Sequence, residues 1–384
     1  MMGVVGTILA FVLVLVILVL VHELGHFVVA KLAGITVEEF GIGFPPRLAS
    51  VMWHGTRYSI NAVPLGGFVK MLGEDGEGDA ERMRQRGLSP AAVERAMAGA
   101  FNRKPIWLRV IVLVAGVVMN FLLAVVLYTV AFVQPVPEHV GPMTVTSVQA
   151  GSPADTQGLK RGDRIVGVDA KRFGSGAGDF QLASDLTTYV NARAVLRQEV
   201  TLHVERGSTP VEVTVVPRLL TATQRDQGLG PVGFGWDSPV VDGPPIASNP
   251  VQAAGIALDT TTHMAVEIPG ALANTVAGLL GLTPNTGEAR GPIGIAQVTG
   301  EVLQQPLVTQ LLFVGLLSVN LAVLNVLPFP PLDGGRVAVV LLEAVRRRRL
   351  PAEREALIYL TGFLVLITLV ILISIQDIAR LPGS

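Results

Sequence analysis

Two histidines four residues apart, His22 and His26, enclose a glutamate in the run His22-Glu23-Leu24-Gly25-His26. On a helix, residues four apart share a face. Both imidazoles can therefore meet one divalent ion at about 2.0–2.1 Å. Glu23 stands beside them, where a carboxylate can take a proton from a water that the ion makes acidic. The chain has six histidines and no cysteine, so thiolate sites and disulfides are excluded. Only the first His pair has ligand spacing, and imidazole with carboxylate donors is the chemistry of Zn²⁺.

A catalytic zinc takes three protein ligands and keeps one position open. No third His is well placed. Asp333 is the best candidate, in Asn325-Val-Leu-Pro-Phe-Pro-Pro-Leu-Asp333-Gly-Gly. Pro328, Pro330 and Pro331 must interrupt a helix there. Broken backbone at membrane depth survives only inside protein or around a water-filled cavity, where a carboxylate can reach an ion. Asn325 lies two turns earlier. It either hydrogen-bonds a substrate carbonyl or the forming oxyanion, or makes an interhelical hydrogen bond.

The elements that position these residues are long apolar runs at Val4–Val21, Val110–Val133, about Leu307–Leu327 and Leu357–Ile375. Each is long enough to cross a bilayer as a helix of about 20 residues. The first run lacks the basic start and cleavage site of a signal peptide. It leads directly into the His-Glu cluster, and ionisable groups in a span are expensive and functional by default. Half the chain is hydrophobic and 15% is charged, against roughly 25% charge in a soluble domain. The formal net charge of −1 gives no field that would draw nucleic acid.

Between the first two runs lie 11 Lys/Arg, and Arg346–Arg349 lies between the last two. Both loops belong in the cytoplasm by the positive-inside rule. The long segment between spans two and three is then extracytoplasmic. Thr36–Leu72 carries Gly and Pro among strand-like pieces and reads as a β-hairpin or small sheet against the spans, whereas Glu74–Arg86 reads as a charged loop. Residues 137–217 alternate in short strands bounded by Gly and Pro, enough for one small domain. Leu219–Pro250 reads as a linker with some strand. Ala253–Leu282 reads as one or two helices at the membrane surface.

The paired motifs HELGH and NVLPFPPLDG resemble the site-2 protease family of intramembrane zinc metalloproteases, and within it the bacterial regulator of sigma-E protease branch. FGIGFPPRL and INAVPLGGFVKM resemble that family's membrane-associated β-hairpin, with Gly43 in its G-x-G. AGVVMNF at 115–121 is similar to a family A-G-P-x-x-N-F, with Val117 in place of Pro. VTSVQAGSPADTQGLKRGDRIVGVDAKRF at 145–173 resembles part of a PDZ domain. One such domain is expected, where the sigma-E protease has two.

The resemblance implies zinc held by His22, His26 and Asp333, Glu23 as general base, and substrate contact at Asn325 and Gly43. It implies a polytopic α-helical membrane protein with four spans, a membrane-associated hairpin and an inserted extracytoplasmic α+β PDZ domain. The expected layout is 1–31 as the first span, 32–105 as a cytoplasmic loop with the hairpin and 106–133 as the second span. The PDZ domain follows at 137–217, with linker and surface helices at 218–304. The third span covers 305–335, a basic cytoplasmic loop 336–355 and the fourth span 356–376. A multi-pass protein of the bacterial inner membrane follows, cleaving single-span membrane proteins such as anti-sigma factors or remnant signal peptides. The PDZ domain either takes a peptide C-terminus or gates the site. A catalytically silent scaffold that binds through the PDZ domain is the alternative. A metal transporter would need liganding groups spread along a path, and the spans offer one cluster.

Overall fold

The computed structural model describes residues 3–74, 78–174, 179–220, 230–279, 282, 291–348 and 350–379. Arg349 and residues 75–77, both within segments read from the sequence, lie outside them. The chain forms two compact units. One comprises Met1–Val133, Ala247–Leu272 and Ala289–Ser384; the other comprises Gln134–Ile246 and Ala273–Glu288.

In the first unit, α1 (Val4–Leu32) is a 29-residue apolar helix. It stops at Gly34, whose φ of +64° suits a residue without Cβ. There Gly34 N–H bonds Lys31 O and Ile35 N–H bonds Ala30 O, closing the last turn. Two long strands follow, β1 (Val37–Trp53) and β2 (Thr56–Met71). Both double back. Segment 47–53 pairs antiparallel with 56–61, as in Met52 opposite Arg57. Residues 39–42 pair with both 57–60 and 67–70, as in Gly41 opposite Ser59 and Phe68. The hairpin is thus a four-ribbon sheet ordered 47–53, 56–61, 39–42, 67–70, with 67–70 at one edge. Buried Glu39 binds it together by accepting two hydrogen bonds from Arg47.

The charged stretch read as a loop contains α2 (Gly78–Gln85). Its stability comes from i,i+3 pairs (Asp79 with Arg82, Glu81 with Arg84) and from Asp79 accepting the Gly73 N–H. Polar composition hid that helix. Next, α3 (Pro90–Met97) opens with Ser89 as N-cap and Pro90 in the first turn. The apolar helix α4 (Ile106–Phe132) buries a stripe at spacing four: Val112, Gly116, Asn120, Ala124 and Tyr128. Its opposite face exposes Ile111, Val118, Leu122 and Val126. Lipid accommodates such a face and water does not.

The second unit is α+β. A ribbon pairs β3 (Pro135–His139) with β10 (Val240–Pro245). The main sheet has β4 (Met143–Val148), β5 (Arg164–Val168), β7 (Val200–Arg206), β8 (Thr209–Val215) and β9 (Phe234–Asp237) in the order β8-β7-β5-β4-β9. The short β6 (Lys171–Arg172) pairs with β5. Helix α5 (Pro153–Thr156) is capped by Ser152, and α6 (Ala183–Leu196) packs Leu186 and Val190 into the core with Met143, Ile165 and Leu202. Because β9 pairs with β4, this unit extends beyond residue 217 into the segment read as linker. Some strand was expected there, but not its pairing, because its partner is some 90 residues away.

Next in the chain, α7 (Pro250–Leu279) is one 30-residue helix with Pro269 inside it, and its residues up to Leu272 belong to the first unit. Ala253, Ala257 and buried Thr261 lie on one face, and the two alanines join Ala124 and Tyr128 of α4 in a shared cluster. Then come α8 (Pro292–Val302), α9 (Leu307–Val326), α10 (Asp333–Arg346) and α11 (Ala352–Ala379). Asp377 of α11 accepts the Gly291 and Gly294 N–H groups and so caps the start of α8. Among the described residues, four helices are long and apolar enough to cross a membrane: Val4–Leu32, Ile106–Phe132, Leu307–Val326 and Glu353–Ile378.

Candidate metal centre

Helix α1 runs straight through its His-Glu cluster, so His22 and His26 fall one above the other on a buried face. Their Nε2 atoms are 3.1 Å apart. The third group arrives from far along the chain. Helix α9 stops at Val326, the prolines turn the backbone, and α10 begins at Asp333. Gly334 and Gly335 make that turn possible. A Cβ on Gly334 would lie 2.2 Å from Val326 O, and one on Gly335 would lie 2.7 Å from Phe329 C. Asp333 Oδ2 thereby comes within 2.8 Å of His22 Nε2 and 3.2 Å of His26 Nε2.

One ligand atom from each of His22, His26 and Asp333 lies within 4.8 Å of the other two. Two imidazole nitrogens and a carboxylate oxygen form a donor set that suits zinc with a fourth position left open. The surroundings fit an ion as well. His26 Nδ1 donates to Val112 O at 2.8 Å, which leaves Nε2 with a lone pair. Gly116 of α4 faces the pair, and a Cβ there would stand 2.4 Å from His26 Nε2 and 2.7 Å from His22 Nε2. Gly25 allows the approach from the other side, since its Cβ would meet Ala115 O at 2.4 Å.

These groups open into a cavity of about 720 Å³. Glu23 lines it beside His22 and His26, and the hairpin contributes Phe44, Gly66, Gly67 and Phe68. Asn325 lines it too. Its Nδ2 donates one N–H to Leu321 O in its own helix at 3.0 Å. Gly43 sits in the sheet with φ +77°, where a Cβ would lie 2.7 Å from Val63 O. The lining residues from that strand include its neighbour Phe44 rather than Gly43. At the cavity rim Arg336 pairs with Glu74. Burial opposes the Arg336 charge, and Glu74 outweighs it, holding the guanidinium firmly protonated.

The AGVVMNF motif quoted from the sequence contains Gly116 and Asn120, but the sequence reading gave neither a role in the site. Asn120 Nδ2 lies 3.3 Å from His22 Nδ1. The signal lay in that motif, a lone amide four residues after a glycine inside an otherwise apolar run.

Comparison with known proteins agrees with this geometry. The model of peptidase family M50 matches residues 10–369. A Clostridium perfringens protein described as a zinc metalloprotease is 33% identical over 94% of this chain and 95% of its own length. One from Agrobacterium fabrum, described in the same words, is 30% identical over 98% and 97%. The regulator of sigma-W protease RasP of Bacillus subtilis is 28% identical over 98% and 99%. With its match spanning nearly the whole sequence, the chain belongs to peptidase family M50, the site-2 protease family, whose zinc metalloproteases use Zn²⁺.

Proposed function

We propose that the protein is an intramembrane zinc endopeptidase that cuts single-span membrane proteins within or beside the lipid layer. One observation carries this reading: two imidazoles and a carboxylate 311 residues apart in sequence meet beside Glu23 in one cavity.

His22, His26 and Asp333 would hold the zinc. When bound, zinc supplies Lewis acidity toward the scissile carbonyl and lowers the pKa of water from 15.7 toward about 7. Glu23 takes the proton of the attacking water and passes it to the leaving amine. The Asn325 amide has a second N–H beyond the one given to Leu321 O, and that N–H can bind the substrate carbonyl as charge develops. Helical substrate backbone is protected by its own hydrogen bonds. The substrate therefore has to unwind and lie extended along the free edge at 67–70, where Gly67 and Phe68 line the cavity. Gly43 shapes the next ribbon of that sheet.

In this reading the protein is multi-pass in a bacterial inner membrane, with the basic loops 32–105 and 336–355 in the cytoplasm. The 137–217 domain is a PDZ domain on the opposite side, which either takes a peptide C-terminus or gates access. The Bacillus subtilis relative is named a regulator of sigma-W protease, which supports an anti-sigma factor as substrate, alongside remnant signal peptides. The test is Glu23→Gln in purified protein. Zinc content should stay at the wild-type level while cleavage of a single-span substrate falls by about 10²-fold or more. Wild-type cleavage by that variant overturns the mechanism.

A further inference from the structure

His22 and His26 both turn Nε2 toward Asp333 Oδ2. If that trio holds zinc, as proposed above, each ring ligates through Nε2 and carries its remaining proton on Nδ1. A ligating histidine needs an acceptor for that proton, because the hydrogen bond fixes both tautomer and ring orientation. His26 has one in Val112 O.

His22 has a different neighbour. Its Nδ1 lies 3.3 Å from Asn120 Nδ2. Asn120 is fully buried in the middle of α4, and its Oδ1 has no hydrogen-bond partner among the described residues. Two nitrogens that both carry protons repel at that separation. The two ends of a side-chain amide are nearly the same size. Turned end for end, the amide sets Oδ1 opposite His22 Nδ1 with no movement of the backbone. A buried oxygen then gains a partner, and the imidazole gains the acceptor that ligation requires.

The residue is held in place from a second direction. Ser318 of α9, also fully buried, donates its Oγ–H to the Asn120 carbonyl at 2.8 Å. This ties α4 to α9 at the level of the candidate metal centre.

We infer that Asn120 is a positioning residue of the zinc site: its Oδ1 accepts the His22 Nδ1 proton and fixes the tautomer that leaves Nε2 free to ligate. An asparagine serving only as glue between helices would leave zinc affinity alone. The two roles therefore separate on a measurement of metal binding.

The experiment is a zinc competition titration against a chromophoric chelator, on the full chain in detergent, for wild type, Asn120→Asp and Asn120→Leu. Aspartate keeps an acceptor in the same volume, and leucine fills the volume without one. Asn120→Asp should bind zinc at least as tightly as wild type. Asn120→Leu should bind about 10–100-fold more weakly, with an altered Co²⁺ absorption spectrum in the folded fraction. Wild-type affinity in Asn120→Leu overturns the inference. If Asn120→Leu fails to fold, Asn120→Asp decides: a loss of tenfold or more there overturns it equally. Failure of the wild-type chain itself to bind zinc would instead sink the reading of His22, His26 and Asp333 as ligands.

Discussion

At Gly116 a single hydrogen atom decides whether two imidazoles have room to converge. A Cβ there would stand 2.4 Å from His26 Nε2, far inside van der Waals contact, and both rings are buried with little space to retreat. Gly116→Ala should therefore weaken zinc binding by about 10-fold or more, read by chelator competition. Unchanged affinity would mean that the rings are free to shift. The ligand candidates themselves were legible because their spacing is local. His22 and His26 are one turn apart, and Asp333 stands beside prolines that must break a helix. Gly116 and Asn120 were not legible as parts of the site. Both stand in the AGVVMNF motif quoted from the sequence, but their importance lies in what α4 faces, which that motif does not record.

Among the elements, the hairpin shows the same division. Alternation and Gly/Pro punctuation predicted a β-hairpin or small sheet over 36–72. They did not predict that both strands double back into four ribbons, which depends on non-local pairing such as Gly41 with both Ser59 and Phe68. In the second unit, Asp163 makes a test by pH possible. Burial opposes its charge, but the Arg206 guanidinium at 2.7 Å and the Lys160 N–H at 2.8 Å outweigh burial and hold its carboxyl below the usual carboxylate range. A folded-state pKa below the unfolded value means that folding favours the charged form. Its stabilisation is full above an unfolded value of about 3.9 and is lost as pH falls from there through the folded value. Hydrogen exchange on the full chain should show the amides of β5 and β7 losing protection below about pH 4. In Arg206→Met that decline should flatten, with weaker protection already at neutral pH. Identical profiles for the two proteins would remove this pair from the stability of the sheet.

For the molecule as a whole, four apolar helices of spanning length were readable from hydropathy alone, and the structure has helices at all four places. The extent of the α+β unit was not readable, because β9 completes its sheet from the far side of a Gly-rich stretch. The proposed topology has a direct check, since the chain has no cysteine. Ser208→Cys should be labelled by an impermeant maleimide from outside spheroplasts and Arg348→Cys only after lysis. The reverse pattern would invert the orientation. What most depends on the whole molecule is the meeting of α1 with the start of α10, which no local segment could encode. Zinc stoichiometry of the purified chain measures it. Wild type should carry one zinc per chain, and Asp333→Ala, with its fold verified by circular dichroism, should carry close to none. A full equivalent of tightly bound zinc in Asp333→Ala would contradict the three-ligand centre.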